Sequence, residues 1–389
     1  MGIVAILGNG RSGVAAARLL ESENIRCVVY DRDDEIDFSL GFGYADVSPG
    51  VPGTHRWIKE CTDRGIPIKS ELQLGCEALK RRGWKLFAIT GSKGKSSVVK
   101  AVADTLSLSC KYAVACGNYG VPVSEVALMD RRGGVENWAI VEVSSFQMEH
   151  TILSPNAFEA AAILNLQEDH LDRHGSVEVY HNLKKKLLKF SPISIFGDEM
   201  PVEKKLFSGS YFDNSVLEKN GFVAQKLLKL AGLGDDEIER GFSSFVPLDH
   251  RMKLVAEINS VKYIDDSKAT SLAALAAGVE IASKLGSGVL LIAGGLAKGD
   301  DPKTLKDLLT KRVKKVYLIG DCAEAFFDSW KDCVSCEISM VLENAVKSAK
   351  RDVSGGDVVL LSPGCASYDQ FKNFEVRGET FAKLVKKEG

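Results

Sequence analysis

Short apolar runs alternate with helix-like segments along most of this 389-residue chain. Each run ends in a turn and is followed by residues with helical spacing, which is the pattern that βαβ units produce. Because such units build parallel sheets covered by helices, the sequence predicts an α/β fold. Examples of the predicted strands are residues 3–7, 27–30, 86–90, 138–143, 161–165, 288–293, 316–319 and 358–361.

The chain length and the polar breaks between these runs predict three domains rather than one. We place a Rossmann-like N-terminal domain at residues 1–82, ahead of a further buried strand and a glycine-rich loop. A central domain with a P-loop ATPase-type parallel sheet follows at residues 83–247. A C-terminal Rossmann-like α/β domain takes residues 248–389.

Composition narrows the class of protein. A formal net charge of −2, with 45% hydrophobic and 26% charged residues, is typical of a soluble globular chain that neither nucleic acid nor an anionic membrane attracts. No run approaches the roughly 18 apolar residues of a membrane helix. Nine irregularly spaced cysteines favour reduced thiols, and the C-x-x-C of Cys333 and Cys336 lacks the second pair of a structural zinc site. We expect a cytoplasmic monomer with no nucleic-acid or membrane partner.

A glycine-rich turn follows the first predicted strand and opens a helix. It matches G-x-G-x-x-G, in which glycines let backbone N–H groups approach a diphosphate at the helix N-terminus. Both NAD and a UDP-sugar carry a diphosphate, so the turn alone leaves both ligands open. An acidic residue that ends the next strand can meet a ribose hydroxyl, and a later Ser-Pro-Gly loop also suits a rigid turn. The candidates are Gly8, Asn9, Gly10, Arg11, Ser12, Asp31, Ser48, Pro49 and Gly50.

A second glycine-rich loop lies between a buried strand and a helix that begins near Val98. Its core is G-K-S: the backbone N–H groups of such a loop cradle phosphates, the lysine neutralises them and the hydroxyl binds magnesium. Only two residues separate its glycines, whereas the general P-loop has four. The loop consists of Gly91, Ser92, Lys93, Gly94, Lys95, Ser96 and Ser97.

Two metal-binding side chains follow later strands, Glu142 after one and His170 after the next. Because neighbouring parallel strands end at one crevice, both can reach the same ligand, and a carboxylate with an imidazole suits magnesium. Taken singly, a solvated strand end and a helix cap explain the two residues equally well.

The order and spacing of these segments resemble the motifs of the Mur ligase family, which includes folylpolyglutamate synthetases. The phosphate loop is similar to the family's T-G-x-x-G-K-[ST]. Further matches are G-N-x-G at 117–120, E-x-S-S-F-Q at 142–147, N-x-x-x-D-H-x-D at 165–172, Y-x-x-x-K at 180–184, D-S-K-A-T at 266–270, G-G-x-x-K at 294–298 and S-P-x-x-A-S-x-D-x-F-x-x-[FY]-x-x-R-G at 362–378.

The resemblance implies an ATP- and magnesium-dependent ligase that converts a carboxylate into an acyl phosphate and joins it to an amine. The D-S-K-A-T motif and the C-terminal signature further imply the addition of D-glutamate to UDP-N-acetylmuramoyl-L-alanine, a step of peptidoglycan precursor synthesis. The catalytic residues that the motifs imply are Lys95, Lys184, His170 and Lys268.

The motifs also imply a ligand for each group of residues. ATP would contact the phosphate loop together with Arg251 and Asp266, and the UDP-substrate would contact the first turn and its loop together with Asn118, Ser144 and Gln147. The implied D-glutamate residues are Thr270, Lys298, Ser367, Tyr368 and Phe374. The implied magnesium ligands are Ser96, Glu142, His170 and, if it is carbamoylated, Lys184.

Three alternatives stay open on the sequence. Another Mur ligase or a folylpolyglutamate synthetase is the nearest, although the first turn, D-S-K-A-T and the C-terminal signature oppose it. An NAD-dependent dehydrogenase explains the first turn but not the phosphate loop. A catalytically silent UDP-sugar-binding paralogue fits two segments that are short for the family, 31–48 and the stretch from Lys184 to Asn220, but it leaves the retained lysines unexplained.

Overall fold

The computed structural model describes residues 2–32, 34–200, 210–212, 217–297 and 299–387. Contacts divide the chain into two compact units, Met1–Phe245 and Val246–Gly389. The described strands form three sheets flanked by helices, so the predicted α/β class is confirmed. The predicted boundaries after residues 82 and 247 stay predictions. No helix within the described ranges is long and apolar enough to cross a membrane.

The first sheet has four parallel strands. Its elements are β1 (Ile3–Leu7), α1 (Arg11–Ser22), β2 (Cys27–Tyr30), β3 (Phe42–Val47), α2 (Arg56–Asp63), β4 (Ile68–Ser70) and α3 (Glu71–Arg81), with a 3-10 turn at Phe38–Leu40. The strand order is β2-β1-β3-β4. The chain therefore leaves β1 to one side and returns to the other, and the end of β1 is a switch point, where α/β sheets bind ligands.

The central sheet has five parallel strands. Its elements are β5 (Lys85–Thr90), α4 (Lys95–Leu108), β6 (Tyr112–Gly117), α5 (Val123–Ala127), β7 (Asn137–Glu142), α6 (Ser145–Met148), β8 (Ala160–Ile163), α7 (Leu171–His174), α8 (Val177–Lys186), β9 (Ser194–Phe196), α9 (Glu218–Leu230) and α10 (Asp235–Ser243), with 3-10 turns at Leu187–Phe190 and Gly197–Glu199. The order β6-β7-β5-β8-β9 puts β5 between β7 and β8. The phosphate loop thus leaves the middle of the sheet, flanked by the ends of both neighbours.

One hydrophobic core joins these two sheets. It contains Ile6 of β1, Leu79 of α3, Leu86 of β5 and Val141 of β7. The carboxylate of Glu71 also accepts a hydrogen bond of 2.7 Å from the backbone N–H of Ser124. Shared apolar burial therefore explains why the two sheets belong to one compact unit.

The second unit holds a six-stranded sheet. Its elements are β10 (Lys253–Ile258), β11 (Val261–Asp265), α11 (Leu272–Ala282), β12 (Val289–Gly294), α12 (Lys306–Arg312), β13 (Val313–Ile319), α13 (Ala323–Trp330), β14 (Ser335–Met340), α14 (Leu342–Asp352), β15 (Val358–Leu361) and α15 (Phe374–Lys386), with a 3-10 turn at Pro302–Leu305. The order is β10-β11-β15-β12-β13-β14, and only the β10–β11 pair is antiparallel. The three motif loops of this unit follow β11, β12 and β15, which are neighbours.

Candidate active site

The phosphate loop is shaped by two glycines at the carboxyl end of β5. Gly91 and Gly94 have φ angles of 152° and 82°, a region that L side chains rarely adopt. A Cβ added to Gly94 would lie 2.2 Å from Nδ2 of Asn220, so glycine lets the loop close against that side chain. Helix α4 begins at Lys95, so the loop presents a helix N-terminus, which attracts phosphate.

Residues that follow β8 hold the phosphate loop in shape. The side chain of Asn165 accepts a hydrogen bond of 2.9 Å from the N–H of Lys93 and donates one of 3.0 Å to its carbonyl. The hydroxyl of Ser92 donates to the carbonyl of Gln167 and accepts from its N–H, both at 2.9 Å. Asn165 and Gln167 therefore support the loop, a role that their positions in the N-x-x-x-D-H motif did not reveal.

Two lysines converge on one carbonyl of the loop. Nζ of Lys95 donates to the carbonyl of Gly91 at 2.8 Å, and Nζ of Lys184 donates to the same oxygen at 2.9 Å. Lys184 is only 1% exposed. Its burial and the nearby charge of Lys95 lower the pKa of Lys184 from 10.5 to about 7. A substantial neutral fraction of this amine is therefore present near neutral pH.

Glu142 ends β7 beside the phosphate strand and is 1% exposed. Nδ2 of Asn118 donates to its Oε1 at 2.7 Å, while its Oε2 is buried without a hydrogen-bond partner among the described residues. Because a buried carboxylate oxygen is costly to leave unpaired, this position fits a bound cation. In the described part of the chain no three His, Cys, Asp or Glu side chains converge. Besides His170, further metal ligands would thus be hydroxyls, phosphates, water or a modified lysine.

Tyr180 connects the other candidate side chains of this sheet. Its hydroxyl donates to the Ser92 hydroxyl at 3.1 Å, and Nζ of Lys184 lies 4.5 Å from its ring centroid. The ring of His170, a residue with a left-handed φ of 53° directly before α7, lies 6.1 Å from the Tyr180 ring. His170, Lys184 and the phosphate loop thus lie around a buried tyrosine, whose motif had indicated only the position of Lys184.

The first glycine turn lies at the switch point beyond β1. A Cβ added to Gly13 would lie 1.9 Å from the Gly8 carbonyl, whereas one added to Gly10 would meet nothing within 4 Å. Packing therefore requires glycine at residue 13, and residue 10 faces open space at the start of α1. The Ser48 hydroxyl donates to the Gly8 carbonyl at 3.1 Å, and Arg11 donates to the Gly120 carbonyl at 3.0 Å. The other candidates Asn9, Asp31 and Gly50 are exposed, and Ser12 and Pro49 are partly buried.

Three further candidates for the UDP-substrate already have partners in the fold. Asn118 binds Glu142, as described above. The Ser144 hydroxyl donates to Oε1 of Gln147 at 3.0 Å and accepts from the Gln147 N–H at 3.3 Å, which forms a capping box at the start of α6. Their contact with substrate stays a prediction.

In the second unit, Asp266 is buried at the end of β11. Its carboxylate accepts from the Ser362 hydroxyl at 2.8 Å and from the Met252 N–H at 3.3 Å. Burial raises the pKa of Asp266 to about 7. Nε of Arg251 is buried and has no hydrogen-bond partner within the described ranges, so it is available to an anionic ligand. The predicted ribose contact of Asp266 stays a prediction.

Arg377 organises the loops that follow β11 and β15. It is 1% exposed and donates to the Ser267 carbonyl at 2.9 Å, the Ser267 hydroxyl at 3.0 Å and the Cys365 carbonyl at 3.1 Å. Burial lowers the pKa of its guanidinium to about 10. This arginine is part of the C-terminal signature, which implied no role for it. In the structure it fastens the D-S-K-A-T loop to the loop of Ser367.

Four of the five predicted D-glutamate residues, Thr270, Ser367, Tyr368 and Phe374, follow β11 or β15 as these loops do. Ser367 is buried, Phe374 begins α15, and Nζ of Lys268 lies 4.8 Å from the centroid of the Phe374 ring. Thr270 is partly buried, and Tyr368 is 72% exposed. Lys298 lies outside the described residues.

Comparison with known proteins places the chain in a family. The model of the Mur ligase middle domain matches residues 89–225, and that of the Mur ligase glutamate ligase domain matches residues 250–365. The UDP-N-acetylmuramoylalanine–D-glutamate ligase of Koribacter versatilis is 31% identical over 451 aligned positions, which cover 99% of this chain and 97% of that protein. This chain belongs to the Mur ligase family. The 451 aligned positions exceed the 389 residues of the chain, so the alignment places gaps in this Mur ligase.

Two further comparisons agree with this family. The enzyme of the same name from Chlamydia abortus is 32% identical to this Mur ligase over 419 positions, covering 98% of this chain and 97% of that one. Among solved structures, the MurF ligase of Thermotoga maritima in complex with ADP superposes with a TM-score of 0.62 at 16% identity, over 99% of this chain and 94% of that chain. The fold predicted for a Mur ligase is thereby confirmed.

Proposed function

We propose that this Mur ligase uses ATP to join D-glutamate to UDP-N-acetylmuramoyl-L-alanine, with an acyl phosphate as intermediate. The observation that carries the proposal is the similarity, over nearly the whole chain, to relatives named UDP-N-acetylmuramoylalanine–D-glutamate ligase. The phosphate loop, the unpaired oxygen of Glu142 and the fastened D-S-K-A-T loop support it.

The reaction has two steps. An oxygen of the alanyl carboxylate attacks the γ-phosphorus of ATP, and ADP leaves. The amine of D-glutamate then attacks the carbonyl of the acyl phosphate, loses a proton, and expels inorganic phosphate as the amide forms. Positioning and charge stabilisation dominate such phosphoryl transfer.

Residues at the carboxyl edge of the central sheet act on the phosphates and the metal in this proposal. Lys95 exchanges its two loop carbonyls for the outer phosphates of ATP, and Ser96 and the loop N–H groups contact the inner ones. Glu142, Ser96 and His170 would hold magnesium, joined by Lys184 if it is carbamoylated. The metal, when bound, neutralises charge that develops on the phosphate oxygens. The lowered pKa of Lys184 suits carbamoylation, because only the neutral amine reacts with carbon dioxide.

The second unit supplies the amino-acid side of the reaction. Lys268 would contact the phosphates or the acyl phosphate, and Arg251 would contact the nucleotide. Thr270, Lys298, Ser367, Tyr368 and Phe374 would line the D-glutamate pocket. The first turn with Asp31 and the loop at 48–50 would hold the UDP group, where Gly10 leaves space beside a helix N-terminus.

The experiment that tests this proposal measures phosphate release with ATP, magnesium and UDP-N-acetylmuramoyl-L-alanine. D-glutamate is compared with L-glutamate, L-lysine and no amino acid, and K95A is the inactive control. We expect release only with D-glutamate. Release with another amino acid would replace the acceptor amine in the proposal, and no release with any of them would favour the silent paralogue.

A further inference from the structure

One arginine of the central sheet reaches across to the loop that follows β3. Arg173 lies in α7, and its Nη2 donates to the carbonyls of Val51 at 3.0 Å and Pro49 at 3.4 Å. The same guanidinium holds Glu149 in a bidentate pair, with Nε 3.0 Å from Oε1 and Nη2 2.8 Å from Oε2. Both side chains are largely shielded, at 15% and 13% exposure. Such a shielded, bidentate pair is well ordered and geometrically specific.

A buried histidine extends this network toward β7, which ends in Glu142. Nδ1 of His174 lies 3.5 Å from Oε1 of Glu149, and its Nε2 lies 3.0 Å from the Ser145 hydroxyl. Ser145 begins α6, three residues after Glu142. A continuous set of polar contacts thus runs from the loop at 49–51 through Arg173, Glu149 and His174 to Ser145, three residues beyond the end of β7.

The placement of α7 gives this network a consequence for ligand geometry. The helix covers only Leu171–His174, and His170 precedes it in a left-handed conformation. Arg173 therefore fixes a helix that directly follows His170, a candidate magnesium ligand. The same side chain fixes two carbonyls of the loop that contains the UDP-substrate candidates Pro49 and Gly50.

We infer that Arg173 is a positioning residue that sets the distance between the UDP-substrate loop and the phosphate-transfer site. The inference rests on the proposed function, because it assumes that the loop at 48–50 binds the UDP-substrate. Arg173 touches neither nucleotide nor amino acid in this account, and it acts through the Pro49 and Val51 carbonyls and through His170. Loss of Arg173 should therefore weaken the binding of the UDP-substrate selectively.

The experiment compares R173A and R173K with a matched control, R18A. Arg18 of α1 also pairs with a glutamate across the same two sheets, Glu125 of α5 at 3.1 Å. It is 58% exposed, and within the described ranges it donates no hydrogen bond to the loop at 49–51. For each protein, calorimetry gives the Kd of UDP-N-acetylmuramoyl-L-alanine, and steady-state kinetics give KM for each of the three substrates. Thermal unfolding verifies that each variant is folded.

For R173A we expect the Kd and KM of the UDP-substrate to rise on the order of tenfold, because several charge-assisted hydrogen bonds are lost. KM for ATP and for D-glutamate should stay within about twofold, and kcat should fall as His170 loses its fixed position. R173K should recover part of the affinity for the UDP-substrate, since lysine keeps the positive charge opposite Glu149. It lacks the guanidinium N–H groups that also donate to the Pro49 and Val51 carbonyls. R18A should match the wild type in every parameter.

Two results would overturn the inference: an unchanged Kd for the UDP-substrate in R173A, or an equal rise of all three KM values, which indicates general disruption of the fold. The binding measurement separates this inference from the proposed function. If the wild type binds the UDP-substrate but releases no phosphate with D-glutamate, the proposed reaction fails while the Kd values still decide the role of Arg173.

Discussion

The unpaired carboxylate oxygen of Glu142 predicts that this residue stabilises the ligand-bound protein at the expense of the ligand-free one. Oε1 is satisfied by Asn118, but Oε2 is buried without a partner among the described residues. In E142Q the amide keeps an acceptor for Asn118 and removes the negative charge that a cation would compensate. We therefore expect the variant to be more stable without metal and far less active with it.

The size of the stability change follows from this geometry. A buried polar group without a partner costs about 1–3 kcal/mol, and more when it is charged. Because glutamine also leaves one polar group unpaired, we expect a net gain of about 1–2 kcal/mol in the free energy of unfolding. For a unit as long as Met1–Phe245, that gain raises Tm by roughly 2–8 °C. Loss of a metal ligand should lower kcat at least about 100-fold.

The assay is thermal unfolding in EDTA and then with magnesium and ADP. Ligand at about 100 times its Kd adds about 2.7 kcal/mol to the free energy of unfolding of the wild type. E142Q should lose the portion of this stabilisation that depends on magnesium. The matched control is E71Q, because Glu71 is another buried glutamate with one bonded and one unpaired oxygen, but it pairs with Ser124 instead. E71Q should keep the magnesium-dependent shift and the activity. An E142Q protein that melts below the wild type in EDTA, or keeps the full magnesium shift, would refute the reasoning.

Three further predictions concern buried titratable groups. Burial raises the pKa of the Asp46 carboxyl well above the usual 3.8, so the folded chain loses stability as pH rises above about 4. D46N should remove this pH-dependent loss, which urea unfolding across pH measures. An equal pH slope in both proteins would contradict it. The pKa of Lys184 in the folded chain, about 7, lies below its ordinary 10.5, so in CO2-free buffer the free energy of unfolding should fall as pH drops from about 10 to 7. K184M should flatten this pH dependence and abolish turnover. An active K184M would count against the proposed role of Lys184. Finally, the lysine of R377K cannot bond to the Ser267 and Cys365 loops at the same time, so the variant should lose about 3 kcal/mol of unfolding free energy. Its KM for D-glutamate should rise, with no change in KM for the UDP-substrate. An unchanged stability together with an unchanged KM for D-glutamate would remove Arg377 from the pocket.

The predicted strands next to motif loops are present in the structure, and those at 3–7, 27–30 and 358–361 have unchanged bounds. These runs are apolar because helices cover both faces of a parallel sheet. None of the apolar runs predicted as strands corresponds to β3, whose Phe42–Val47 includes a glycine and the buried Asp46, or to the three-residue β4 and β9. The same is true of β6, β11 and β14. The edge strand β10 has mostly exposed side chains, and such strands lack a strong apolar pattern.

The family and the fold were accessible from sequence because the motifs are local and closely spaced. Contacts between residues that lie far apart in the sequence could not be predicted from it. Arg173 lies in a charged run that equally describes a solvated turn, and its role depends on carbonyls more than 120 positions earlier in the chain. Arg377 and Tyr180 belong to recognised motifs, but only the packed structure shows which loops they connect.

The most direct test of the proposed function is the mass of the product formed when the amino acids compete. The wild type is supplied with UDP-N-acetylmuramoyl-L-alanine, ATP, magnesium and equal amounts of D-glutamate, L-glutamate, D-alanine and L-lysine, with one isotope label on D-glutamate. We predict a single product heavier by one labelled glutamyl residue. A product that contains an unlabelled amino acid, or unchanged UDP-substrate after complete ATP hydrolysis, would contradict the proposal.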